Sequence, residues 1–217
     1  MSTTTTIKAV SFDLDGTLYS SAKLKAPVLW ATFPRWRTMR VGRRVREALR
    51  GQRFVDGEAL LQHEATIAAE RLDRSVDTTR EALRRVFDHD VVRVLPKVGA
   101  RIEARAVLEA LVARDIAICV ISDRGSVAEK LGAVGLADLP WRALISADDV
   151  GALKPDPLLF TQAAMACGVD IKHLLHVGDR DDCDGAGARA AGARVVIIDA
   201  LAPRPLDVVL PAIDALP

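Results

Sequence analysis

The chain has few of the features that mark membrane proteins, nucleic-acid-binding proteins or small disulfide-linked domains. Its formal net charge is only +1 over 217 residues, which gives no global attraction to nucleic acid or to an anionic membrane. No apolar segment reaches the length of a membrane span. Half of the residues are hydrophobic, enough for one large domain or for a core with an insertion. We expect no nucleic-acid partner, no membrane span, and a monomer or a homodimer.

Cysteine is also scarce, since Cys119, Cys167 and Cys183 are the three in the chain. An odd number without a regular spacing indicates free thiols and a reducing compartment. Residues Met1 to Thr6 are a polar, threonine-rich run without the apolar core of a signal peptide, and we expect a frayed tail there. The sequence therefore predicts a cytoplasmic protein.

Two aspartates near the start of the chain are its most informative feature. Asp13 and Asp15 follow an apolar run, Ile7 to Phe12, that is typical of a buried strand. Residues two apart in a strand point to the same side, and two carboxylates about 4 Å apart repel by roughly 4 kcal/mol at an effective dielectric of about 20. A divalent metal with a phosphate ligand resolves this repulsion. The alternative is an ordinary turn at Asp15 and Gly16.

Two further segments suit a phosphate group. The β-branched run Ile116 to Ile121 predicts another buried strand, and Ser122 follows it just before a predicted helix. A hydroxyl and free N–H groups at a helix start suit phosphate, although Ser122 also fits a simple helix cap. Lys154 precedes Pro155 and Pro157, which limit its backbone freedom. A rigidly placed ammonium suits a phosphate oxygen, and the alternative is a solvated surface lysine.

An acid-rich loop completes the set of motifs. The predicted strand 173–178 is followed by four aspartates within six positions. Hard oxygen ligands at this density suit Mg²⁺, which binds through one or two carboxylates and keeps several waters. His176, inside the strand, is expected to be a packed residue rather than a ligand. The aspartates of the acid-rich loop are Asp179, Asp181, Asp182 and Asp184.

Strands and helices alternate through most of the chain, which predicts an α/β fold, a doubly wound parallel sheet with right-handed crossovers. Ligands bind such sheets at the carboxyl ends of strands, beside the switch in winding direction. Because Asp13, Ser122 and Asp179 all follow predicted strands, we expect them to converge there. The predicted strands are 7–13, 116–122, 142–146, 173–178 and 194–198, and the predicted helices are 99–114, 126–135, 156–167 and 184–191.

The strand pattern is absent from Leu18 to Pro96, where three apolar stripes, near 41–49, 60–72 and 83–87, predict an all-helical insertion. The insertion contains eight arginines between positions 35 and 53, against one acid. Such a surface suits a second anionic group on the substrate, or a partner or anionic surface. The alternative is a solvated helix face whose neighbouring aromatics pack inward. The arginines are Arg35, Arg37, Arg40, Arg43, Arg44, Arg46, Arg50 and Arg53, and the aromatics are Trp30, Phe33 and Trp36.

In the order of its four motifs, from Asp13 to Gly192, the chain resembles the haloacid dehalogenase-like (HAD) superfamily of hydrolases. The resemblance implies that Asp13 is the nucleophile and that Asp15 is the general acid/base. It implies Mg²⁺ ligation by Asp13, Asp179 and the backbone carbonyl of Asp15, with Asp184 in support. The substrate-binding residues it implies are Thr17, Ser122, Asp123 and Lys154.

The resemblance also implies a domain division, with a catalytic core of residues 1–18 and 96–217 and an α-helical cap of residues 19–95. The implied activity is Mg²⁺-dependent hydrolysis of a small phosphorylated metabolite through an aspartyl phosphate. Two alternatives stay open, a phosphomutase that returns the phosphoryl group to a sugar and a weakly active binding or regulatory module. Asp123 and Cys183 stand where relatives often have asparagine, and Asp123 adds negative charge near the phosphate.

Asp15 separates two reactions of this superfamily. Dehalogenases have a non-acidic residue at the corresponding position, so Asp15 favours phosphoryl transfer. A general acid/base needs a raised pKa. We expect crowding by Asp13, Asp179 and Asp184 to raise the pKa of Asp15.

Overall fold

The protein is built around a parallel sheet of five strands: β1 (Ala9–Phe12), β2 (Ala117–Ser122), β3 (Trp141–Ser146), β4 (Leu174–Gly178) and β5 (Arg194–Ile197). The computed structural model describes residues 6–33 and 35–215. The strand order is β3-β2-β1-β4-β5, and every neighbouring pair is parallel. The predicted α/β sheet is confirmed, and each predicted strand is present. The tail expected at the start of the chain lies, apart from Thr6, outside the described residues.

The strand order fixes the place where a ligand binds. From the central β1 the chain winds through β2 and β3 on one side and then through β4 and β5 on the other. The switch in winding direction therefore lies between β1 and β4, where Phe12 is paired with Val177. Asp13 and Asp179 directly follow these two strands, and Ser122 is the last residue of the neighbouring β2.

The chain between β1 and β2 forms an all-helical insertion, as predicted, with helices beyond the three apolar stripes. The first helix was not predicted because it has apolar residues on all sides, including Leu24, Val28 and Trp30, and so shows no one-sided stripe. A π-helical turn, Arg85–Asp90, joins the last two helices. The helices are α1 (Ser21–Thr32), α2 (Trp36–Ala48), α3 (Gly57–Leu72), α4 (Val76–Arg84) and α5 (Val91–Val94).

Apolar contacts join the insertion to the sheet. Val45 of α2, Leu60 of α3 and Leu83 of α4 share one hydrophobic core with Ala147 and Leu153, which follow β3. Burying this shared apolar surface stabilises the insertion on the sheet.

A buried cluster of charges, here called the junction cluster, lies at the same place. Nη2 of Arg46 lies 2.5 Å from Oε2 of Glu64 and 2.7 Å from Oδ1 of Asp148. Nη1 of Arg124 donates to Oε2 of the same glutamate at 3.1 Å. Oδ2 of Asp148 accepts from the N–H of Gly125 at 2.7 Å. Arg46 and Glu64 belong to the insertion and the other three to the sheet region, so the junction cluster ties the two together.

Helices cover both faces of the sheet. Alternate strand residues point to opposite faces, so Val10 and Phe12 pack with Leu108, whereas Ala9 packs with Phe160. None of the helices in the described ranges combines the length and the apolar character needed to cross a lipid bilayer. The remaining helices are α6 (Ala104–Val112), α7 (Val127–Ala133), α8 (Ala147–Val150), α9 (Leu158–Ala166), α10 (Ala186–Ala191) and α11 (Val209–Asp214).

Candidate active site

Three aspartates from distant parts of the sequence meet at the carboxyl edge of the sheet. One carboxylate oxygen from each of Asp13, Asp179 and Asp184 lies within 4.8 Å of the others. Asp13 and Asp184 are buried, and Asp179 is half-buried. Three hard oxygen ligands this close together suit a divalent cation such as Mg²⁺. We call these residues the carboxylate cluster.

Two glycines allow the backbone to approach the carboxylate cluster. Gly16 has a φ of +114°, and a Cβ atom there would collide with the carboxylate of Asp179. A Cβ atom on Gly178, the last residue of β4, would collide with the carboxylate of Asp184. Asp184 itself lies in a π-helical turn, Asp181–Gly185, which brings its side chain back over the end of β4. Residues with side chains at the two glycine positions would displace the carboxylates.

The other two aspartates of the acid-rich loop face outward. Oδ1 of Asp181 lies 2.6 Å from Nη2 of Arg189, and Oδ2 of Asp182 lies 2.6 Å from Nη2 of Arg180. The acid density seen in the sequence is therefore divided between the carboxylate cluster and two surface ion pairs.

Lys154 supplies buried positive charge to the carboxylate cluster. Its Nζ lies 2.5 Å from Oδ1 of Asp13 and 2.7 Å from Oδ1 of Asp184. Burial alone would lower the pKa of Lys154, but Asp13, Asp184 and Asp123 raise it well above the usual range. Oδ1 of Asp123 also accepts from the backbone N–H of Lys154 at 3.0 Å. The negative charge of Asp123 is therefore engaged in holding the lysine loop.

The three carboxylates differ in their affinity for protons. Burial raises the pKa of Asp13 well above its usual range, and repulsion from Asp184 and Asp179 adds to this while Lys154 opposes it. Burial and Asp184 also raise the pKa of Asp179. For Asp184, burial would raise the pKa, but Lys154 and a hydrogen bond with His176 lower it far below the usual range. A divalent cation among the three would offset the repulsion that raises the first two pKa values.

Two predicted substrate-binding hydroxyls are buried at this edge of the sheet. Oγ1 of Thr17 donates to Oδ2 of Asp13 at 3.1 Å, which holds the carboxylate in place. Oγ of Ser122 accepts from the N–H of Arg124 at 3.1 Å. The residue that precedes α7 as its N-cap is Ser126, so Ser122 orders the loop and does not cap the helix.

Asp15 lies outside the carboxylate cluster. Its Oδ1 accepts from the hydroxyl of Tyr19, and its Oδ2 lies 3.4 Å from Nζ of Lys130. The expectation of a raised pKa for Asp15 is wrong. Burial would raise this pKa, but Lys130 and the hydrogen bond from Tyr19 lower it. The Asp15 side chain faces the ammonium of Lys130 and the hydroxyl of Tyr19. Their lowering of its pKa outweighs the expected effect of nearby carboxylates.

The sequence analysis missed Lys130 and Tyr19. Lys130 is almost fully buried on the same face of α7 as Val127 and Leu131. A lysine within the apolar stripe of a predicted helix was the available signal, because a buried ammonium requires a partner. Tyr19 is the one tyrosine of the chain and is fully buried. Its burial and the neighbouring Asp15 raise its pKa well above the usual value.

His176 is buried in β4, as expected of a packed strand residue. Its Nδ1 lies 2.9 Å from Oγ of Ser11, and its Nε2 lies 3.4 Å from Oδ1 of Asp184. Burial lowers its pKa. The ring therefore supports Asp184 from behind the carboxylate cluster.

Four of the eight arginines face solvent. Within the part of the chain that the structure describes, none of the four takes part in an ion pair. The alternative of a solvated helix face is correct for these four arginines, but its inward-packed aromatics are not found, since Trp30, Phe33 and Trp36 are 83%, 70% and 40% exposed. The four exposed arginines are Arg37, Arg40, Arg43 and Arg44.

The other four arginines have partners. Arg50 contacts Cys183 and so reaches the acid-rich loop beside Asp184. Arg46 belongs to the junction cluster. Arg50 also forms an ion pair with Glu47, and the other two ion pairs are Arg35–Asp90 and Arg53–Asp156.

Known proteins resemble this chain in sequence and in fold. A family profile described as haloacid dehalogenase-like hydrolase matches residues 7–192. The chain is 33% identical to the phosphoglycolate phosphatase of Rhodospirillum rubrum, over 88% of this chain and 79% of that one. It is 30% identical to the glyceraldehyde 3-phosphate phosphatase of Methanopyrus kandleri, over 88% and 84% of the two chains. The crystal structure of the HAD-hydrolase YfnB of Bacillus subtilis, bound to magnesium, has a TM-score of 0.69 at 15% identity and covers 96% and 99% of the two chains.

Proposed function

We propose that the protein hydrolyses a small phosphorylated metabolite with Mg²⁺, through an aspartyl phosphate on Asp13. The chain belongs to the haloacid dehalogenase-like hydrolase family and is a phosphoric monoester hydrolase. The observation that carries the proposal is the carboxylate cluster with Lys154 against two of its members. Phosphate monoester hydrolysis is among the slowest uncatalysed reactions, with enhancements of up to about 10²¹. A site for it needs a nucleophile and concentrated positive charge.

The donor set fits magnesium. Asp13 and Asp179 would bind the ion with the backbone carbonyl of Asp15, and Asp184 would support them. Their oxygens are hard ligands. Burial, with repulsion between the carboxylates added to it, raises the pKa of Asp13 and of Asp179, and a cation would offset the repulsion. When bound, Mg²⁺ supplies charge that lets a phosphate dianion approach the carboxylates. The structural neighbour from Bacillus subtilis was crystallised with this ion.

The residues divide the work of the first step. The carboxylate of Asp13 attacks phosphorus, and the bond from phosphorus to the ester oxygen breaks. Asp15 donates a proton to the leaving alcohol. Because its pKa is lowered in the free protein, we infer that the arriving phosphate dianion raises that pKa by like-charge repulsion. Lys154 stabilises charge on the phosphoryl oxygens.

The second step regenerates Asp13. Asp15, now ionised, removes a proton from a water molecule that attacks phosphorus of the aspartyl phosphate. Inorganic phosphate leaves, and Asp13 is again a carboxylate. Tyr19 and Lys130 stabilise the ionised form of Asp15 that this step requires.

We infer a cap role for residues 19–95 over a core of residues 1–18 and 96–217. A cap excludes water and selects the substrate, and its motion admits and releases ligands. Arg50 supports this role because, from the turn that follows α2, it reaches Cys183 in the acid-rich loop. A guanidinium there suits a second anionic group on a small substrate. The three cysteines are free, which supports the proposed cytoplasmic setting.

The proposal is tested by replacing the nucleophile. Asp13→Asn should abolish phosphate release from p-nitrophenyl phosphate, and so should chelation of Mg²⁺. Asp181→Asn, which alters an exposed acid of the same loop, should retain activity. Phosphoglycolate and glyceraldehyde 3-phosphate are the first metabolites to assay. Free phosphate as the product, with no isomerised sugar phosphate, separates hydrolysis from the phosphomutase alternative. Turnover of Asp13→Asn at the wild-type rate would contradict the mechanism.

A further inference from the structure

The insertion exposes four large apolar side chains that lie close together in the sequence. Leu29 and Trp30 of α1 are 55% and 83% exposed, and Phe33 and Trp36 follow at 70% and 40%. These four residues lie within eight positions of the sequence. Single exposed hydrophobics are ordinary on protein surfaces, but a contiguous group marks an interaction site.

The arrangement around α1 is that of a helix made for an interface. Val28 packs inward, while Leu29 and Trp30 lie on the exposed side. At helical spacing, Lys25 and Lys23 lie on the two flanks of that exposed apolar strip. A helix that is apolar on both sides is normally buried on both sides. Here one side is left for a partner.

The neighbouring helix α2 adds a cationic surface. Arg37, Arg40 and Arg44 follow the i, i+3, i+7 spacing and lie on its exposed face. Within the described residues, no carboxylate pairs with them. The sequence contains no acidic residue between Asp15 and Glu47. The apolar strip of α1 and these arginines, none of which is acidic, are together named the basic–aromatic face.

A shallow groove of about 640 Å³ borders the basic–aromatic face. Ala26, Trp30 and Val94 contribute apolar surface to it, and Arg93 and Lys97 contribute cations. Both of these cations are exposed. The groove, which shares Trp30 with the exposed strip, has the same combination of apolar surface and positive charge.

We propose that the basic–aromatic face binds the surface of an anionic lipid bilayer, an activity independent of the proposed chemistry. Aromatic and leucine side chains enter the boundary between headgroups and acyl chains, where tryptophan is favoured. Lysine and arginine reach anionic headgroups while their aliphatic stems cover apolar surface. A symmetric contact with a second copy of this chain would place one basic surface against another, so charge complementarity favours an anionic partner over self-association. The protein would lie on the bilayer without crossing it.

The test is sedimentation of the full chain with phosphatidylcholine vesicles, with and without phosphatidylglycerol. Binding should require phosphatidylglycerol and weaken as salt is raised. Trp30 and Trp36 enter a less polar setting, so tryptophan emission should shift to shorter wavelength on binding. Two variants test the face. The double variant Leu29→Ser/Trp30→Ser removes apolar side chains, and the triple variant Arg37→Gln/Arg40→Gln/Arg44→Gln removes positive charge. Each should weaken vesicle binding by about tenfold or more.

Matched controls alter the same residue types elsewhere. The apolar control is the double variant Met165→Ser/Leu201→Ser, which removes two exposed apolar side chains from the sheet region. The charge control is the triple variant Arg114→Gln/Lys172→Gln/Arg204→Gln, which removes as much positive charge as the arginine variant. Both controls should bind vesicles as the wild type does. Thermal unfolding midpoints verify that each variant is folded.

Three results would overturn the proposal. The first is wild-type protein that does not sediment with phosphatidylglycerol vesicles. The second is binding that the control variants reduce as much as the test variants do. The third is a concentration-dependent dimer that the Leu29 and Trp30 substitutions dissociate, because the face would then join two copies of the chain.

Discussion

Lys154 donates a hydrogen bond to Asp13, with Nζ 2.5 Å from Oδ1, although both side chains are buried. The same ammonium lies 2.7 Å from Asp184. A buried charge is tolerated when it is paired and hydrogen-bonded. The lysine therefore compensates the carboxylates in the free protein and offers the same charge to a phosphate in the reaction.

Lys154→Met should lower both stability and activity. Removing one partner of a buried ion pair costs about 3–5 kcal/mol, and we expect this loss in the free energy of unfolding of the metal-free protein at pH 7. Loss of one group that stabilises transition-state charge should reduce kcat by about 10²–10³-fold. Urea unfolding and phosphatase assays measure the two effects. Lys172→Met removes a largely exposed lysine and should change neither by much; equal losses in both variants would contradict the role of Lys154.

Gly16→Ala should impair metal binding more than its backbone conformation alone would explain. Gly16 has a φ of +114°, and its added Cβ would meet the carboxylate of Asp179. Gly99→Ala is the control, because Gly99 has a φ of +67° but no atom lies within 4 Å of the Cβ position. Mg²⁺ titration by calorimetry should show weaker binding for Gly16→Ala and wild-type binding for Gly99→Ala. Unchanged Mg²⁺ affinity in both would place the ion away from Asp179.

Lys130→Met and Tyr19→Phe should lower kcat with little change in KM, because they release Asp15 and leave the phosphate site intact. We expect a loss of about 10–100-fold, part of the 10²–10⁴ that general acid–base catalysis supplies. Lys130 and Tyr19 lower the pKa of Asp15, so the acidic limb of the pH profile should move to higher pH in the variants. Lys130→Arg should restore part of the rate. A fall in kcat that tracks lost stability, with no shift of the pH profile, would leave these residues a structural role only.

Asp148→Asn should weaken the junction cluster in a pH-dependent manner. Burial would raise the pKa of Asp148, but Arg46, Arg124 and the N–H of Gly125 lower it. An acid whose pKa is lower in the folded state stabilises the protein above its unfolded pKa, about 3.9, and this stabilisation is lost as pH falls through the folded pKa. The variant should therefore be less stable by about 3 kcal/mol near neutral pH, and the difference should shrink below about pH 4.

Asp138→Asn is the control for this prediction. The pKa of Asp138 is also lowered, by Arg105, but that ion pair is exposed. Its loss should change the free energy of unfolding much less, because solvent screens exposed pairs. A pH-independent difference between wild type and Asp148→Asn in urea unfolding would mean that the carboxylate charge does not stabilise the junction.

Local patterns in the sequence were enough to predict the sheet. β2 and β4 are short, mostly apolar runs bounded by polar residues and glycine, and this length and flanking pattern favour buried strands over helices. The convergence of Asp13, Ser122 and Asp179 then follows from the parallel topology, which places strand ends at one edge. These inferences need no knowledge of side-chain conformations.

The environment of single side chains was harder to predict. Lys130 lies 115 positions from Asp15 in the sequence, and no local pattern indicates that the two meet. The predicted direction of the pKa shift of Asp15, upward, was therefore wrong. Likewise, the arginine-rich segment does not show that Arg46 is buried beside Glu64 while Arg44 is exposed. Helix α1 escaped detection because its exposed side is apolar, the property on which the proposed membrane contact depends.

Chemical trapping of the intermediate tests most directly whether Asp13 accepts the phosphoryl group. Borohydride reduces an acyl phosphate to an alcohol, so protein quenched during turnover with Mg²⁺ and a phosphate ester should carry homoserine at position 13. Peptide mass spectrometry should find this product only when the ester and Mg²⁺ are both present, with the peptides that contain Asp179 and Asp184 unmodified. Rapid phosphate release without homoserine at position 13, or with the modification on another aspartate, would contradict Asp13 as the nucleophile.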